Sequence, residues 1–586
     1  MNLALLIGAS LLLQAGVESP AGPGWTGEYA GLKVLNNFVT ELLSTPLKGP
    51  AGQTFLNPRD GWVFLAVSGV DRAPRAVLDG AADPLVWRRN PETGAFEAMQ
   101  RLAKGKHVVG TEVGDGAHLT VRTMPEIAFC YYPSGRHITA YEPYDWPYVG
   151  RYVLPHVNTL IARNDVPQDE FEQWLREGRQ WIANASLPGL SSKEAPSADG
   201  VYSVWAKNAG AAAPGFGGLI VDEFLGASEG HYRAWGDAVR RLHETPGFRN
   251  RTFYAWCGDL HRNEPSLAFS RLLTELGHRF SWERYLREVP TPEDASKLIE
   301  RSLKSPFLEW REAMPGVERN VVMCLGYLSA PPETLNANPG VDYHVFMDMQ
   351  FQYLATDPAF QGLYGIMEYM AAYADEESIR WAHKLCRHYC IEGRRTRFTD
   401  APYILPHLMN PDFENGLDGW RVKPAEDGSV DGKQMKGFSS LEGRYPRTRR
   451  GDEFCWMRRS AAGPNIIRQT IRALEPGRAY SLKLISADLK QLDVEKMLTL
   501  DIDVGGAERL SSYEFQFPYP SCYSHEVDPY NRENPAHLNF HRVVFRPAAA
   551  TVELTISDWA TPTEPGGPLG QETVFNFAEV QPFLEP

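Results

Sequence analysis

The chain has 586 residues, of which 43% are hydrophobic and 23% are charged, and its formal net charge is −14. This composition is typical of a soluble globular protein and excludes a fibrous or wholly disordered chain. The length exceeds what one core supports, so several domains are expected. The negative charge argues against a nucleic-acid partner, because phosphate backbones are bound by concentrated positive charge.

The N-terminus carries the pattern of a secretory signal peptide. An apolar run from Leu3 to Leu13 is followed by small residues that include Ala15 and Ala21. The pattern predicts a signal peptide over residues 1–22, and the run is too short to span a bilayer. We therefore expect a secreted or periplasmic protein with no integral membrane segment in the mature chain.

The seven cysteines predict neither a disulfide framework nor a metal site, because their number is odd and their spacing matches no ligand set. Cys386 and Cys390 are one helical turn apart, but no further Cys or His pair completes a zinc site. We expect the cysteines to be packing residues, with no metal and no cofactor.

Residues 30–124 alternate short apolar stretches with turn signals. The segments 61–67, 84–87 and 107–110 have the composition of strands, and Asp79-Gly80 is a turn signal between them. This region predicts an N-terminal β-sandwich, and we find no catalytic constellation in it.

The pattern changes after Met124-Pro125, where strand-like runs begin to alternate with amphipathic helices. Eight such strands over residues 125–400 predict a (β/α)8 TIM barrel. The alternative is an open doubly wound sheet, but no glycine-rich dinucleotide loop follows the first strand. The strand candidates are 127–131, 157–162, 180–184, 217–222, 252–257, 279–282, 319–325 and 362–367.

Residues 410–586 lose the helical period and read as strands again. Residues 410–420 read NPDFENGLDGW, which resembles the opening of the jelly-roll carbohydrate-binding modules of secreted polysaccharide-degrading enzymes. The resemblance implies a C-terminal β-sandwich with a jelly-roll topology. Sugar binding is one role of that fold and a structural spacer is the other.

A barrel between two β-sandwiches on an exported chain resembles a secreted TIM-barrel glycoside hydrolase. This resemblance is architectural and implies a carbohydrate substrate. Glycosidic cleavage usually needs two carboxyl groups that flank the bond, one to protonate the leaving oxygen and one as nucleophile or base. In a barrel these groups lie at the C-terminal ends of the strands.

The fourth strand candidate ends in two adjacent acids, Asp222 and Glu223. Side chains alternate along a strand, so a regular strand would turn only one of them into the barrel mouth. Many retaining barrel hydrolases carry their acid/base glutamate after strand four, which favours Glu223. We choose Glu368, after the eighth strand, as its partner, with Glu283 and Asp259 as alternatives, and we expect retention of anomeric configuration.

Aromatic and polar side chains recur at the same predicted strand ends. Sugar rings stack their apolar C–H faces on aromatic rings, while their hydroxyls need amides and carboxylates. The predicted substrate-binding residues are Tyr131, Asn184, Trp256, Asp259, Trp282, Glu283, Tyr327 and Tyr369.

The leading hypothesis is therefore an exported glycoside hydrolase that cleaves a poly- or oligosaccharide. One alternative is a non-catalytic carbohydrate-binding or cell-surface scaffold, which would lack two carboxyls facing each other across the mouth. Another is a different barrel enzyme, such as a polysaccharide lyase or a metal-dependent hydrolase.

Overall fold

The computed structural model describes residues 29–586 except 30, 50, 113–115, 134, 164–165, 370, 446–447 and 522–526. The predicted signal peptide, residues 1–22, and Cys522 lie outside the described residues. Within the described part of the chain, none of the helices combines the length and the apolar character needed to cross a membrane.

The N-terminal region forms two antiparallel sheets. A six-stranded sheet has the order β1-β2-β9-β4-β7-β6, and a three-stranded sheet has the order β3-β8-β5. Both sheets contribute to one apolar core, which includes Phe55, Val63 and Val109. The strands are β1 Lys33–Val34, β2 Thr40–Pro46, β3 Ala51–Asn57, β4 Gly61–Ser68, β5 Ala76–Leu78, β6 Arg88–Arg89, β7 Phe96–Leu102, β8 Gly105–Thr111 and β9 His118–Met124.

The middle of the chain closes into a barrel of eight parallel strands, which confirms the predicted barrel. Each strand pairs with its neighbour in the sequence, and the last strand pairs with the first. The strands are β10 Glu126–Cys130, β11 Thr159–Ala162, β12 Gln180–Ala185, β13 Phe216–Phe224, β14 Thr252–Cys257, β15 Arg279–Arg284, β16 Val321–Gly326 and β17 Gly365–Tyr369.

Helices connect the barrel strands, and several of them begin at a capping side chain. Asp375 caps α10, Glu376–Leu385, by accepting a hydrogen bond from the Ser378 N–H at 2.7 Å. Thr291 caps α7, Pro292–Ile299, by accepting a hydrogen bond from the Asp294 N–H at 3.2 Å. The helices are α1 Trp146–Tyr152, α2 Gln168–Arg176, α3 Ala198–Ala206, α4 Ala209–Ala212, α5 Glu229–Glu244, α6 Glu264–Glu275, α7 Pro292–Ile299, α8 Ser305–Ala313, α9 Tyr343–Thr356 and α10 Glu376–Leu385.

The C-terminal region also forms two antiparallel sheets. One is four-stranded, in the order β18-β21-β27-β23, and the other is seven-stranded, with β19-β20-β28-β22-β26-β24 and β25 on β26. They share an apolar core that includes Ile467, Leu482 and Phe575. The elements are β18 Arg421–Lys423, β19 Val430–Gln434, α11 Phe438–Glu442, β20 Glu453–Arg458, β21 Ile466–Ile471, β22 Tyr480–Asp488, β23 Asp501–Gly505, β24 Ala507–Arg509, β25 Phe515–Pro520, β26 His537–Pro547, β27 Val552–Ser557 and β28 Glu572–Pro582.

A buried ionic contact joins the seven-stranded sheet to the barrel. Lys483 on β22 lies 3.1 Å from Asp375, the cap of α10, and 3.0 Å from Glu579 on β28. All three side chains are almost fully buried, so the removal of any one would leave a charge without its partner in a low-dielectric interior. The C-terminal sheet is therefore attached to the barrel at a defined position beside its last strand.

Candidate functional site

Alternation along the barrel strands determines which side chains enter the barrel. Ile220, Trp256, Cys324 and Met367 belong to the apolar cluster inside the barrel, and the Ser281 hydroxyl contacts the Met367 sulfur at 3.0 Å. The next inward position on β13 after Ile220 is Asp222, and the next on β15 after Ser281 is Glu283. These two carboxyls therefore lie at the C-terminal end of the barrel, above its apolar interior.

The close approach of β13 to β14 depends on a glycine. Gly218 has a φ of +154°, and a Cβ atom there would overlap the Thr252 backbone. The apolar residues that follow, Leu219 to Val221, are buried. The glycine thus allows the pairing that carries Asp222 to the mouth.

Asp222 is a carboxyl with a raised proton affinity. Burial raises its pKa to about 6, although the Glu223 backbone N–H, which donates to Asp222 Oδ1 at 2.7 Å, stabilises the charged form. The neighbouring Glu223 charge raises the pKa further. This carboxyl therefore titrates close to neutral pH.

Glu223 breaks the strand alternation. Its φ is +70°, in the left-handed region that few non-glycine residues adopt, and the β13–β14 pairing shifts between Val221 and Phe224. Because of this irregularity, Asp222 and Glu223 both line a cavity of about 650 Å³, together with Asn184. Such strain at a non-glycine residue occurs frequently at functional sites.

Glu283 has the higher proton affinity of the two inward carboxyls. Burial and then the Asp222 charge raise its pKa to about 7. The Tyr285 hydroxyl, which donates to Glu283 Oε1 at 3.1 Å, opposes this shift by stabilising the carboxylate. The pKa of Glu283 thus depends on the charge of Asp222, which links the two groups electrically.

Aromatic rings form one wall of the mouth. The Tyr285 and Tyr369 rings stack with their centroids 5.2 Å apart, and the edge of Trp256 meets Tyr369 at 5.2 Å. Tyr285 and Tyr369 are partly exposed, whereas Trp256 is buried beneath them. Stacked phenol rings beside carboxyl groups match the two faces of a sugar ring.

A further phenol closes the mouth from the first strand. Tyr132 packs with the interior cluster, and the Arg163 guanidinium lies 5.4 Å from its ring centroid. Burial raises the pKa of Tyr132 and the Asp222 charge adds to the effect. The charge of Asp222 therefore acts on Tyr132, Glu283 and Tyr369, which follow or end the first, sixth and eighth barrel strands.

Of the predicted site residues, Asn184, Asp222, Glu223, Trp256, Glu283 and Tyr369 point into the barrel or line its mouth. Three predicted aromatics point outward instead, because each is one residue out of phase with an inward neighbour. Tyr131 packs on Trp146 of α1, Trp282 stacks on Phe307 of α8, and Tyr327 is buried in the core outside the barrel.

Glu368 also faces away from the mouth, since Met367 and Tyr369 on either side of it face inward. It is 2% exposed, and its carboxyl contacts Cys386 Sγ at 3.7 Å and His383 Nε2 at 3.7 Å. Burial raises its pKa to about 8. The geometry does not bring Glu368 together with Glu223 as the predicted pair.

Asp259 is held in ion pairs. It contacts Arg284, Arg262 at 2.8 Å and the Trp282 indole N–H at 3.2 Å. Burial raises its pKa, but Arg284 above all outweighs that effect, so the pKa lies below its usual value. A carboxylate held in this state is unsuited to proton transfer near neutral pH.

The sequence interpretation missed Tyr285 and did not select Tyr132 as a site residue. The sequence signal for both was the alternation of side chains between the two faces of a strand. Tyr285 is two residues beyond Glu283 and Tyr132 is two residues beyond Cys130, so each shares the inward face of that neighbour. Within the residues that the structure describes, His, Cys, Asp and Glu side chains form no group of three or more arranged to hold a metal ion.

No known family model and no curated protein sequence matches this chain. Among solved structures, it is similar to a candidate α-galactosidase (melibiase) from Bacteroides fragilis, with 9% identity, a TM-score of 0.31 and coverage of 85% of this chain and 98% of that one. A GH18 chitinase from Pseudoalteromonas aurantia gives 10% identity, a TM-score of 0.28 and coverage of 44% and 99%. Similarity at this level assigns no family to this chain.

Proposed function

We propose that this protein is a glycoside hydrolase that cleaves a poly- or oligosaccharide in the barrel mouth, with Glu283 and Asp222 as the working carboxyl pair. Glu283 replaces Glu368 as the partner of the carboxyls on β13. Export of the chain, expected from residues 1–22, is part of the same proposal.

The observation that carries this proposal is the electrical link between two inward carboxyls. Burial and the Asp222 charge raise the pKa of Glu283 to about 7, whereas Asp222 itself has a pKa of about 6. Two carboxyls whose environments separate their pKa values are suited to opposite roles at one pH. Between about pH 6 and 7, Glu283 is mostly protonated and Asp222 is mostly ionised.

In this mechanism Glu283 donates its proton to the glycosidic oxygen as the bond to the anomeric carbon breaks. Asp222 faces the positive charge that develops on the sugar, either as nucleophile or as the group that orients water. The rings of Tyr369 and Tyr285 stack on the sugar. The Asn184 amide donates hydrogen bonds to its hydroxyls or accepts them, and the Glu223 carboxylate accepts them. We keep retention of configuration as the expected outcome.

The scaffold alternative is less consistent with these carboxyls. Buried acids that are not neutralised by a basic partner reduce stability, so a purely structural barrel gains nothing from Asp222 and Glu283 at one opening. The test is a screen of purified protein against nitrophenyl glycosides and a polysaccharide panel, with Glu283→Gln and Asp222→Asn as variants. Hydrolysis of a polysaccharide by the wild type that both variants lose supports the proposal, and no hydrolysis on any substrate contradicts it.

A further inference from the structure

A long loop follows the seventh barrel strand and lies beneath the C-terminal region. Every residue from Val321 through Pro339 is buried except Glu333. A carboxylate is the group least suited to such a segment, and it is the one that reaches the surface. The loop therefore presents a single acidic side chain at the C-terminal end of the barrel.

The C-terminal region holds this loop by backbone hydrogen bonds. The Thr334 N–H donates to Gly443 O at 2.7 Å, and the Tyr445 N–H donates to Thr334 O at 2.8 Å. Thr334 and Arg444 thus form a parallel β-bridge between the barrel loop and the turn after α11. Thr334, the residue directly after Glu333, is consequently held by the C-terminal region.

Buried side chains lock the bridge in place. The Arg444 guanidinium donates to both Asp412 oxygens at 2.6 Å, to Glu442 at 2.9 Å and to the Ala337 carbonyl at 3.1 Å. Arg444 is fully buried, so these bonds are shielded from water. The turn and the loop are therefore joined by backbone hydrogen bonds and by buried side-chain hydrogen bonds.

Gly443 allows the close approach of the two segments. Its φ is +99°, and a Cβ atom there would overlap the Pro332 carbonyl group. Since Pro332 directly precedes Glu333, any side chain at position 443 would displace the loop at the point where the carboxylate emerges. The glycine is thus a specific requirement of the contact.

Glu333 is close to the aromatic wall of the mouth. The loop begins beside the eighth strand, where the Tyr327 N–H donates to Tyr369 O at 3.2 Å. Burial and several neighbouring groups raise the pKa of Tyr369, and the charge of Glu333 is one of them. Further along, the Ala330 N–H donates to Tyr373 O at 3.0 Å and the Leu335 N–H donates to Leu328 O at 2.9 Å. The segment that carries Glu333 therefore folds back beside the stacked rings of Tyr369 and Tyr373, whose centroids are 6.4 Å apart.

We propose that Glu333 contacts the substrate in the mouth and that the C-terminal turn 443–445 is the positioning element that holds it there. Its carboxylate accepts hydrogen bonds from O–H or N–H groups of a sugar unit next to the scissile bond. Together with Glu223 it makes the site suited to neutral or cationic sugars and unfavourable for uronates. This inference rests on the proposed function.

The test compares wild type, Glu333→Gln, Glu333→Asp and Gly443→Ala on the nitrophenyl glycoside that the wild type hydrolyses fastest and on the matching oligosaccharide. Gly477→Ala is the control, because Gly477 has a φ of +84° and no atom near its Cβ position. Hydrogen exchange of residues 327–339 and thermal unfolding are measured for every variant.

We expect Glu333→Gln to raise KM for the oligosaccharide roughly tenfold with kcat within twofold, as for the loss of one charged hydrogen bond. Glu333→Asp should restore part of the affinity. Gly443→Ala should speed exchange at Thr334 and Leu335 and raise KM, whereas Gly477→Ala should do neither.

An unchanged KM in Glu333→Gln, or unchanged hydrogen exchange in Gly443→Ala, overturns the inference. The proposed function is unaffected by that result as long as the wild type is active. If the wild type hydrolyses nothing, calorimetric binding of oligosaccharides derived from each polysaccharide of the panel decides. Weaker binding by Glu333→Gln then supports the contact, and equal or absent binding overturns it.

Discussion

The Tyr285 hydroxyl donates a hydrogen bond to Glu283 Oε1 at 3.1 Å, two residues further along the same strand end. This bond stabilises the carboxylate and lowers the pKa of Glu283 against burial and the Asp222 charge, which hold it at about 7. Tyr285 thus adjusts the proton affinity of the group that we propose as the acid.

Tyr285→Phe should therefore raise the pKa of Glu283 further. The protonated acid would persist to higher pH, and the basic limb of kcat/KM against pH should move upward by a measurable fraction of a unit. A matched change away from the mouth, Tyr202→Phe, is the control, because the Tyr202 hydroxyl bonds Thr245 on the outer surface at 3.2 Å. If the basic limb does not move in Tyr285→Phe, Glu283 is not the group whose titration sets that limb.

The wild-type pH profile should be a narrow bell. Activity requires an ionised Asp222, which becomes protonated as the pH falls through about 6. It also requires a protonated Glu283, which loses its proton as the pH rises through about 7. Because the two groups interact, the limbs report the pair and not single residues. A rate that is flat across this range would exclude both carboxyls as the groups that titrate.

Glu368→Gln should change stability and leave activity intact. The pKa of Glu368 is about 8 in the folded protein against a usual value of 4.5, so the unfolded chain releases this proton at lower pH. Stability is therefore lost as the pH rises between these values, and Gln, which cannot ionise, removes the loss. Thermal unfolding should show little difference near about pH 5 and a more stable variant near about pH 8.

If the difference in stability between wild type and Glu368→Gln is the same at both pH values, the buried position of this carboxyl is contradicted. A large loss of kcat in Glu368→Gln would instead restore the pair expected from the sequence.

The predicted barrel was confirmed because its signal is repeated eight times, whereas the direction of a side chain at a strand end depends on a single residue of register. Tyr131, Trp282, Tyr327 and Glu368 each fail by one position, next to an inward neighbour. Glu223 shows the opposite case, since its φ of +70° brings it to the cavity beside Asp222 although alternation would separate them.

Glu333 could not be found from the sequence. The loop that carries it is held by contacts with residues 443–445, which are distant in the chain. Local patterns do not contain such pairings. The domain boundary between residues 400 and 410 stays a prediction from the end of the helical period, and the bonds between the barrel loop and the C-terminal region have no local sequence signal.

Retention of anomeric configuration stays a prediction. It requires Asp222 to attack the anomeric carbon from a carboxyl separation of about 5 to 5.5 Å, whereas inversion needs about 6.5 to 9.5 Å. Proton NMR of the first anomer released from an oligosaccharide distinguishes the two outcomes. An inverted product would assign Asp222 the activation of water.

The central claim is that Glu283 is the general acid, and the most direct measurement is the rate of Glu283→Gln on two glycosides whose leaving groups differ in acidity. With an unsubstituted sugar as the leaving group, kcat/KM should fall about 100-fold or more, because protonation of the leaving oxygen is lost. With a dinitrophenyl leaving group, which needs no proton, most of the activity should remain. Wild-type rates on both substrates, or an equal loss on both, would contradict the assignment.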